Sequence, residues 1–120
     1  MSVKPSQFDL LSRLLDVTTL RQQVIGQNVA NVNTPGYRQS ELQFEDSLKA
    51  LIQGDRLSEL NAIEPEIQQT MGLPERSDGN NVDIDLEMGK ANKNALLYET
   101  YTQILSTKLG MLRSAISGQS

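Results

Sequence analysis

Met88-Gly89-Lys90-Ala91-Asn92-Lys93-Asn94-Ala95-Leu96-Leu97-Tyr98-Glu99-Thr100-Tyr101-Thr102-Gln103-Ile104-Leu105-Ser106-Thr107-Lys108-Leu109-Gly110-Met111-Leu112-Arg113-Ser114-Ala115-Ile116 holds the longest regular pattern in the chain. Met88, Ala91, Ala95, Tyr98, Thr102, Leu105, Leu109, Leu112 and Ile116 follow one another three and four residues apart, and Thr102 is the polar member. That spacing is a heptad seam on one long helix. A second stripe of Leu97, Tyr101, Ile104 and Met111, interrupted by Lys108, runs beside it, so the helix has more apolar face than one partner covers. From residue 84 to 116 it would measure roughly 50 Å at 1.5 Å per residue, longer than a small domain is wide. It needs at least two neighbours.

A matching helix is expected at the other end. Ser6 followed by Asp9 has capping-box spacing with Asp in the Glu place, and Pro5 precedes it. Phe8, Leu11, Leu15, Thr18, Gln22, Ile25, Val29 and Val32 form one series, widened by Leu10, Leu14, Val17 and Val24. The helix stops by Thr34-Pro35-Gly36-Tyr37, because Pro35 disfavours helix at Thr34 and Gly36 tolerates the positive φ of a type II turn. Asn31 and Asn33 are candidate caps.

Between these ends, Phe44, Leu48, Leu51 and Ile52 have helical spacing, which predicts a short helix ending near Gly54. Residues 54–81 hold Gly54, Pro65, Gly72, Pro74 and Gly79 among polar neighbours, with brief alternation around Ile63 and Ile67 that is either a short strand or nothing. The expected fold is mainly α: long terminal amphipathic helices paired antiparallel like a coiled coil, a short helix, and an irregular insert that is either partly β or disordered. Residues 1–38, 39–81 and 82–120 are the segments of this one structural unit. Gly26, Gly89 and Gly110 each weaken a helix by about 1 kcal/mol relative to alanine. The ends are therefore expected to be marginal in an isolated subunit and to become ordered on assembly.

Composition removes most catalytic chemistry. The 120 residues include no histidine, cysteine or tryptophan, which excludes the usual neutral-pH general base, thiolate nucleophiles, disulfides and Cys/His zinc sites. A net charge of -4 with scattered cations gives no basic patch, so no nucleic-acid partner is expected. No stretch approaches 18 apolar residues and the start lacks a secretory h-region, so neither membrane insertion nor a cleaved signal is expected. The oxygen-rich run from Ser77 to Glu87 has its glycine and glutamate in the wrong order for an EF-hand, and reads instead as Asp83 capping the last helix. Lys90, Lys93 and Lys108 beside Tyr98 and Tyr101 read as solvated helix faces. No catalytic residue, cofactor or metal site is expected.

Asn28-Val29-Ala30-Asn31-Val32-Asn33-Thr34-Pro35-Gly36-Tyr37-Arg38 resembles the signature of bacterial flagellar rod and hook proteins, and Leu109-Gly110-Met111-Leu112-Arg113-Ser114-Ala115-Ile116 resembles their other terminal segment. The short length, the Phe44 segment and Gly79-Asn80-Asn81-Val82-Asp83-Ile84-Asp85 look most like the proximal rod members of that family. The resemblance implies an axial structural subunit, exported through the flagellar type III apparatus without a cleaved signal and assembled into the periplasmic rod. Its implied partners are copies of itself, other rod subunits, the junction with the membrane ring and export gate, and the export apparatus. On that reading Leu11, Leu15, Ile25, Val29, Val32, Tyr98, Leu105, Leu109, Leu112 and Ile116 are assembly-seam residues. The first seam of the C-terminal helix would meet the N-terminal helix, and the second stripe would meet adjacent subunits. Phe44 and Leu48 resemble an export-gate recognition element. The competing readings are a cytoplasmic helical adaptor or secretion chaperone using the same heptads, and a small enzyme using carboxylates such as Glu41 or Glu87.

Overall fold

The computed structural model describes residues 6–118. Helix α1 spans Gln7–Ala30 and begins with the expected box: Asp9 N donates to Ser6 Oγ (3.2 Å) and Ser6 N to Asp9 Oδ2 (2.8 Å). Helix α3 spans Ile84–Ser117, and its N-cap Asp83 accepts from Asp85 N at 3.0 Å and Leu86 N at 3.3 Å. The cap fills orphan donors and places acids at the positive end of the helix. Pairing is antiparallel, as Lys108 Nζ donates to Gln7 Oε1, Asn94 Nδ2 to Thr18 O and Gln22 Oε1, and Asn28 Nδ2 to Glu87 Oε2. The molecule is accordingly long, 65 × 30 × 18 Å.

Residues 39–81 are more regular than their composition predicts. Strand β1 (Ser40–Gln43) pairs antiparallel with β2 (Glu66–Gln69), Leu42 opposite Ile67. Helix α2 covers Glu45–Gln53 with Gly54 as its C-cap, and a short 3-10 helix follows at Leu57–Ala62. The expected short helix is therefore present, with Phe44 as its N-cap. Ile52, counted among its apolar positions, points to solvent. Ile67 is in a strand, while Ile63 ends the 3-10 helix.

The core lies on one side of α1. Val17 and Val24 pack with Leu42, Phe44, Leu48 and Leu60, flanked by Leu10, Leu14, Leu20, Leu57 and Ile63. Arg13 ties the insert down, its Nη2 donating to Ile63 O at 2.6 Å and its guanidinium lying 5.7 Å from the Phe44 ring centroid. The residues that merely widened the N-terminal stripe are thus the ones that hold the insert.

The other side of α1, bearing the buried Leu11, Thr18 and Ile25, faces α3 as expected. On α3 the expectation fails. The buried positions are Glu87 and Asn94, with Lys90, Ala91, Leu97, Tyr101, Leu105 and Lys108 half-buried. Met88, Ala95, Tyr98, Leu109, Leu112 and Ile116 of the heptad seam are exposed. The inward face begins one residue earlier than the heptad, a rotation of about 100° at 3.6 residues per turn. Thr18, Gln22 and Asn28 present polar groups to α3, and Asn94 and Glu87 answer them with hydrogen bonds that Ala95 or Met88 would leave unmade.

Candidate assembly interface

Two features stand where a catalytic or ligand site would be sought: a buried polar clamp that joins the ends of the helix pair, and the apolar face the clamp turns outward. The clamp centres on Asn28, which is fully buried. Its Nδ2 donates to Ser40 O (2.8 Å) and Glu87 Oε2 (3.1 Å), and its Oδ1 accepts from Tyr37 OH and Ser40 N, both at 3.0 Å. All four amide positions are satisfied. Gln39 Nε2 donates to the other oxygen of the buried Glu87, and Lys90 Nζ lies 3.7 Å from it. Both Glu87 oxygens are therefore committed to amide donors, with one cation nearby, a structural arrangement rather than a free base. Burial, and then the Glu87 carboxylate, push the Tyr37 hydroxyl above its ordinary value of 10.0, against a hydrogen bond with Ser40. Tyr37 thus stays a donor.

Asn80 closes the end of α1. Its Nδ2 lies 2.8 Å from Asn31 O, 3.1 Å from Val32 O and 2.9 Å from Thr34 O, while its Oδ1 accepts from Val82 N at 2.8 Å. These carbonyls belong to the C-cap residue and the turn that follows α1, so this side chain, 46 to 49 residues away in sequence, pins that turn to the start of α3. Asn31 is the C-cap, as expected, its Nδ2 donating to Gln27 O at 2.8 Å, but Asn33 is exposed. Arg76 adds donors to Val82 O (2.7 Å) and Val32 O. Gly36 adopts φ +75°, its N donates to Asp78 O at 2.8 Å, and a Cβ on Gly79 would stand 3.4 Å from Gly36 Cα. Thr34-Pro35-Gly36-Tyr37 is thus more than a helix stop: it is the half of a joint that receives Gly79-Asn80-Asn81-Val82. Thr34 and Pro35 themselves are exposed.

Among the seam residues, Leu11 and Ile25 are buried, and Leu15, Val29, Val32 and Leu105 half-buried, so these serve the subunit's own packing. Tyr98, Leu109, Leu112 and Ile116 lie together on the outer face of α3, where Ile116 is 79% exposed. Phe44 and Leu48 are in the core at 1% and 8% exposure. Sequence reasoning missed Gln39, Arg76 and the inward role of Asn94. A polar residue at an inward helical position is the one trace Asn94 leaves, and nothing local announces the other two. Among the described residues no cluster of three or more acidic, histidine or cysteine side chains could hold a metal, and no helix is long and apolar enough to cross a membrane.

Residues 16–38, the second half of α1 and the receiving turn, match the family model described as Flagella basal body rod protein. The chain is 35% identical to the flagellar basal body rod protein FlgB of Borrelia hermsii, over 87% of this chain and 90% of that one. It belongs to the FlgB family of flagellar basal body rod proteins. Within that family it is 32% identical to the FlgB of Borreliella burgdorferi over 80% and 84% of the two chains, and 25% identical to that of Bacillus subtilis over 98% of each. A FlgB-family chain is a structural subunit of the basal body rod and assembles with other rod components. The clamp ties α1, β1 and the start of α3 together, and the outer face of α3 is left exposed.

Proposed function

We propose that this chain is a subunit of the proximal rod, built into the rod in the periplasm through the outer face of α3, and that the rod it forms transmits torque. The exposed heptad carries this reading. Burying a Leu- or Ile-sized side chain yields about 1.5–3 kcal/mol, and Met88, Tyr98, Leu109, Leu112 and Ile116 all keep much of that gain in reserve. Its partners on this account are further copies, other rod subunits and the junction with the membrane ring and export gate. Deleting the gene and imaging isolated basal bodies tests this: a membrane ring without a rod, restored by the chain in trans, is expected, and normal rods in the deletion strain would refute it.

Export proceeds through the flagellar type III apparatus with the chain unfolded and no signal cleaved. The burial of Phe44 and Leu48 supports the unfolded state, because a receptor meets these side chains only before the core forms. A Phe44→Ala, Leu48→Ala variant is expected to be secreted poorly, whereas Leu60→Ala, which removes an equally buried core residue, is secreted normally. Equal secretion of the two variants would remove the recognition role.

A further inference from the structure

Strand β1 has one edge paired and one edge open. Thr70 N donates to Gln39 O at 3.0 Å, which sets the phase of the antiparallel ladder, so Glu41 and Gln43 exchange hydrogen bonds with β2. Ser40 and Leu42 therefore turn their backbone N–H and C=O to the other edge. The Asn28 side chain takes both groups of Ser40, as a neighbouring strand would. Leu42 is 4% exposed, yet among the described residues its N–H and C=O have no partner. Backbone groups left unpaired this close to a core are rare.

The open edge is one wall of a trough of about 500 Å³, the size of a ligand cleft. Val24 and Ile25 of α1 form its floor, and Asn94, Leu97 and Tyr101 of α3 line the wall opposite β1. Asn94 is 3% exposed and its Nδ2 is bonded to Thr18 O and Gln22 Oε1, but its Oδ1 has no donor among the described residues. Leu42 thus lacks an acceptor and a donor, and Asn94 lacks a donor. An extended backbone offers both kinds of group along its edge, whereas those of a helix are already bonded within it. The charges of the trough are matched except for one. Arg21 pairs with Glu45 at 2.6 Å, and Lys90 lies 3.8 Å from Glu41 and 3.7 Å from Glu87, while Lys93 has no ionic partner among the described residues.

From these groups we infer that the trough takes one extended polypeptide segment of a different rod component, added to β1 at Leu42 as a third strand. Its apolar side chains, at alternate positions, turn to the α1 floor, and a carboxylate between them meets Lys93. The inference rests on the rod-subunit reading above and names a second contact surface for it. A second copy of this chain fits poorly, because β2 would arrive with β1 still on its other edge, two strands in a trough that Lys90 and Glu41 span at one end.

Amide exchange and chemical shifts of the isotope-labelled full-length chain test this. In the free chain the Leu42 amide should exchange at least about tenfold faster than that of Ser40, the difference one hydrogen bond makes. The probe is the blocked peptide acetyl-Thr-Val-Glu-Val-Thr-amide, which should shift Leu42 and Lys93 saturably and slow the Leu42 amide. Its N-methylated counterpart keeps the side chains without the donors and should bind about tenfold more weakly. Lys93→Glu, at an exposed position, should weaken binding about two- to fivefold, the range of an exposed ion pair, and reverse the preference over a lysine-centred peptide. In basal bodies, benzoylphenylalanine in place of Gln43, an exposed residue of the trough, should cross-link to an extended segment of another rod component. A Leu42 amide as slow as that of Ser40 in the free chain, equal binding of the N-methylated peptide, or a cross-link to a second copy would overturn the inference. Peptide binding is read without rods, so binding by a chain whose deletion leaves rods normal would refute the rod reading alone. Rods lost on deletion, with no peptide binding, would refute this site alone.

Discussion

Asn28 and Asn80 show how much structure one amide side chain can hold. Asn28 joins α1, β1 and α3 by satisfying all four of its hydrogen-bonding positions, and Asn80 holds the turn after α1 from the far side of the insert. Removing either leaves buried or part-buried polar groups unpaired, at about 1–3 kcal/mol for each buried one. Asn80→Ala should therefore lower unfolding free energy by about 2–4 kcal/mol in urea titration, whereas Asn33→Ala should stay within about 0.5 kcal/mol of wild type, as surface changes do. Tyr37 adds a pH dependence. Its folded-state pKa is raised, so the stability tied to its proton is complete below the unfolded value near 10 and is lost as pH rises through the folded one. Tyr37→Phe should cost about 0.5–1.5 kcal/mol at neutral pH, and its stability deficit should narrow above pH 10. A deficit that widens there would contradict the assignment. The sequence marked these positions as a motif, through Asn28, Asn31 and Tyr37, but could not say that Asn80 closes it. A side chain that binds a turn from across the fold has no local spacing to read.

At the scale of elements, helix ends and the α1 register were legible because they depend on neighbours in sequence: Ser6 with Asp9, Asp83 with Asp85, and Pro35 with Gly36. The face of α3 was not. Periodicity finds the most apolar stripe, and it assumes that this stripe packs inside the chain. Here the stripe is exposed, and the inward face is set by Asn94, which donates to Thr18 O and Gln22 Oε1, and by Glu87, which accepts from the Asn28 and Gln39 amides. Among the described residues Asn94 Oδ1 has no partner, so this buried amide defines register at some cost in stability, as a polar residue in a coiled-coil seam does. Asn94→Leu should accordingly raise the melting temperature while loosening the register. Paired cysteines at Gln22 and Asn94 neighbours such as Lys93 would then cross-link less selectively. A lower melting temperature would show that the amide stabilises the pair outright.

Over the whole molecule, the helical class and the pairing of the termini were readable from two amphipathic segments, while the β1–β2 pair and the 3-10 helix were hidden by a polar composition. That insert is held by a few long-range contacts, Leu42, Phe44 and Leu60 against α1 and Arg13 over Phe44, and not by a pattern of its own. The result is a subunit whose core lies on one side of α1 and whose most apolar surface lies outside, on α3. The central claim is that this outer face serves assembly and not the fold, and Leu109→Asp tests it most directly when the melting curve of the purified chain and the basal bodies of cells carrying it are measured together. The account predicts a melt within about 0.5 kcal/mol of wild type, as for other exposed positions, and basal bodies without a rod. A collapsed melt, or normal rods and motility, would contradict it.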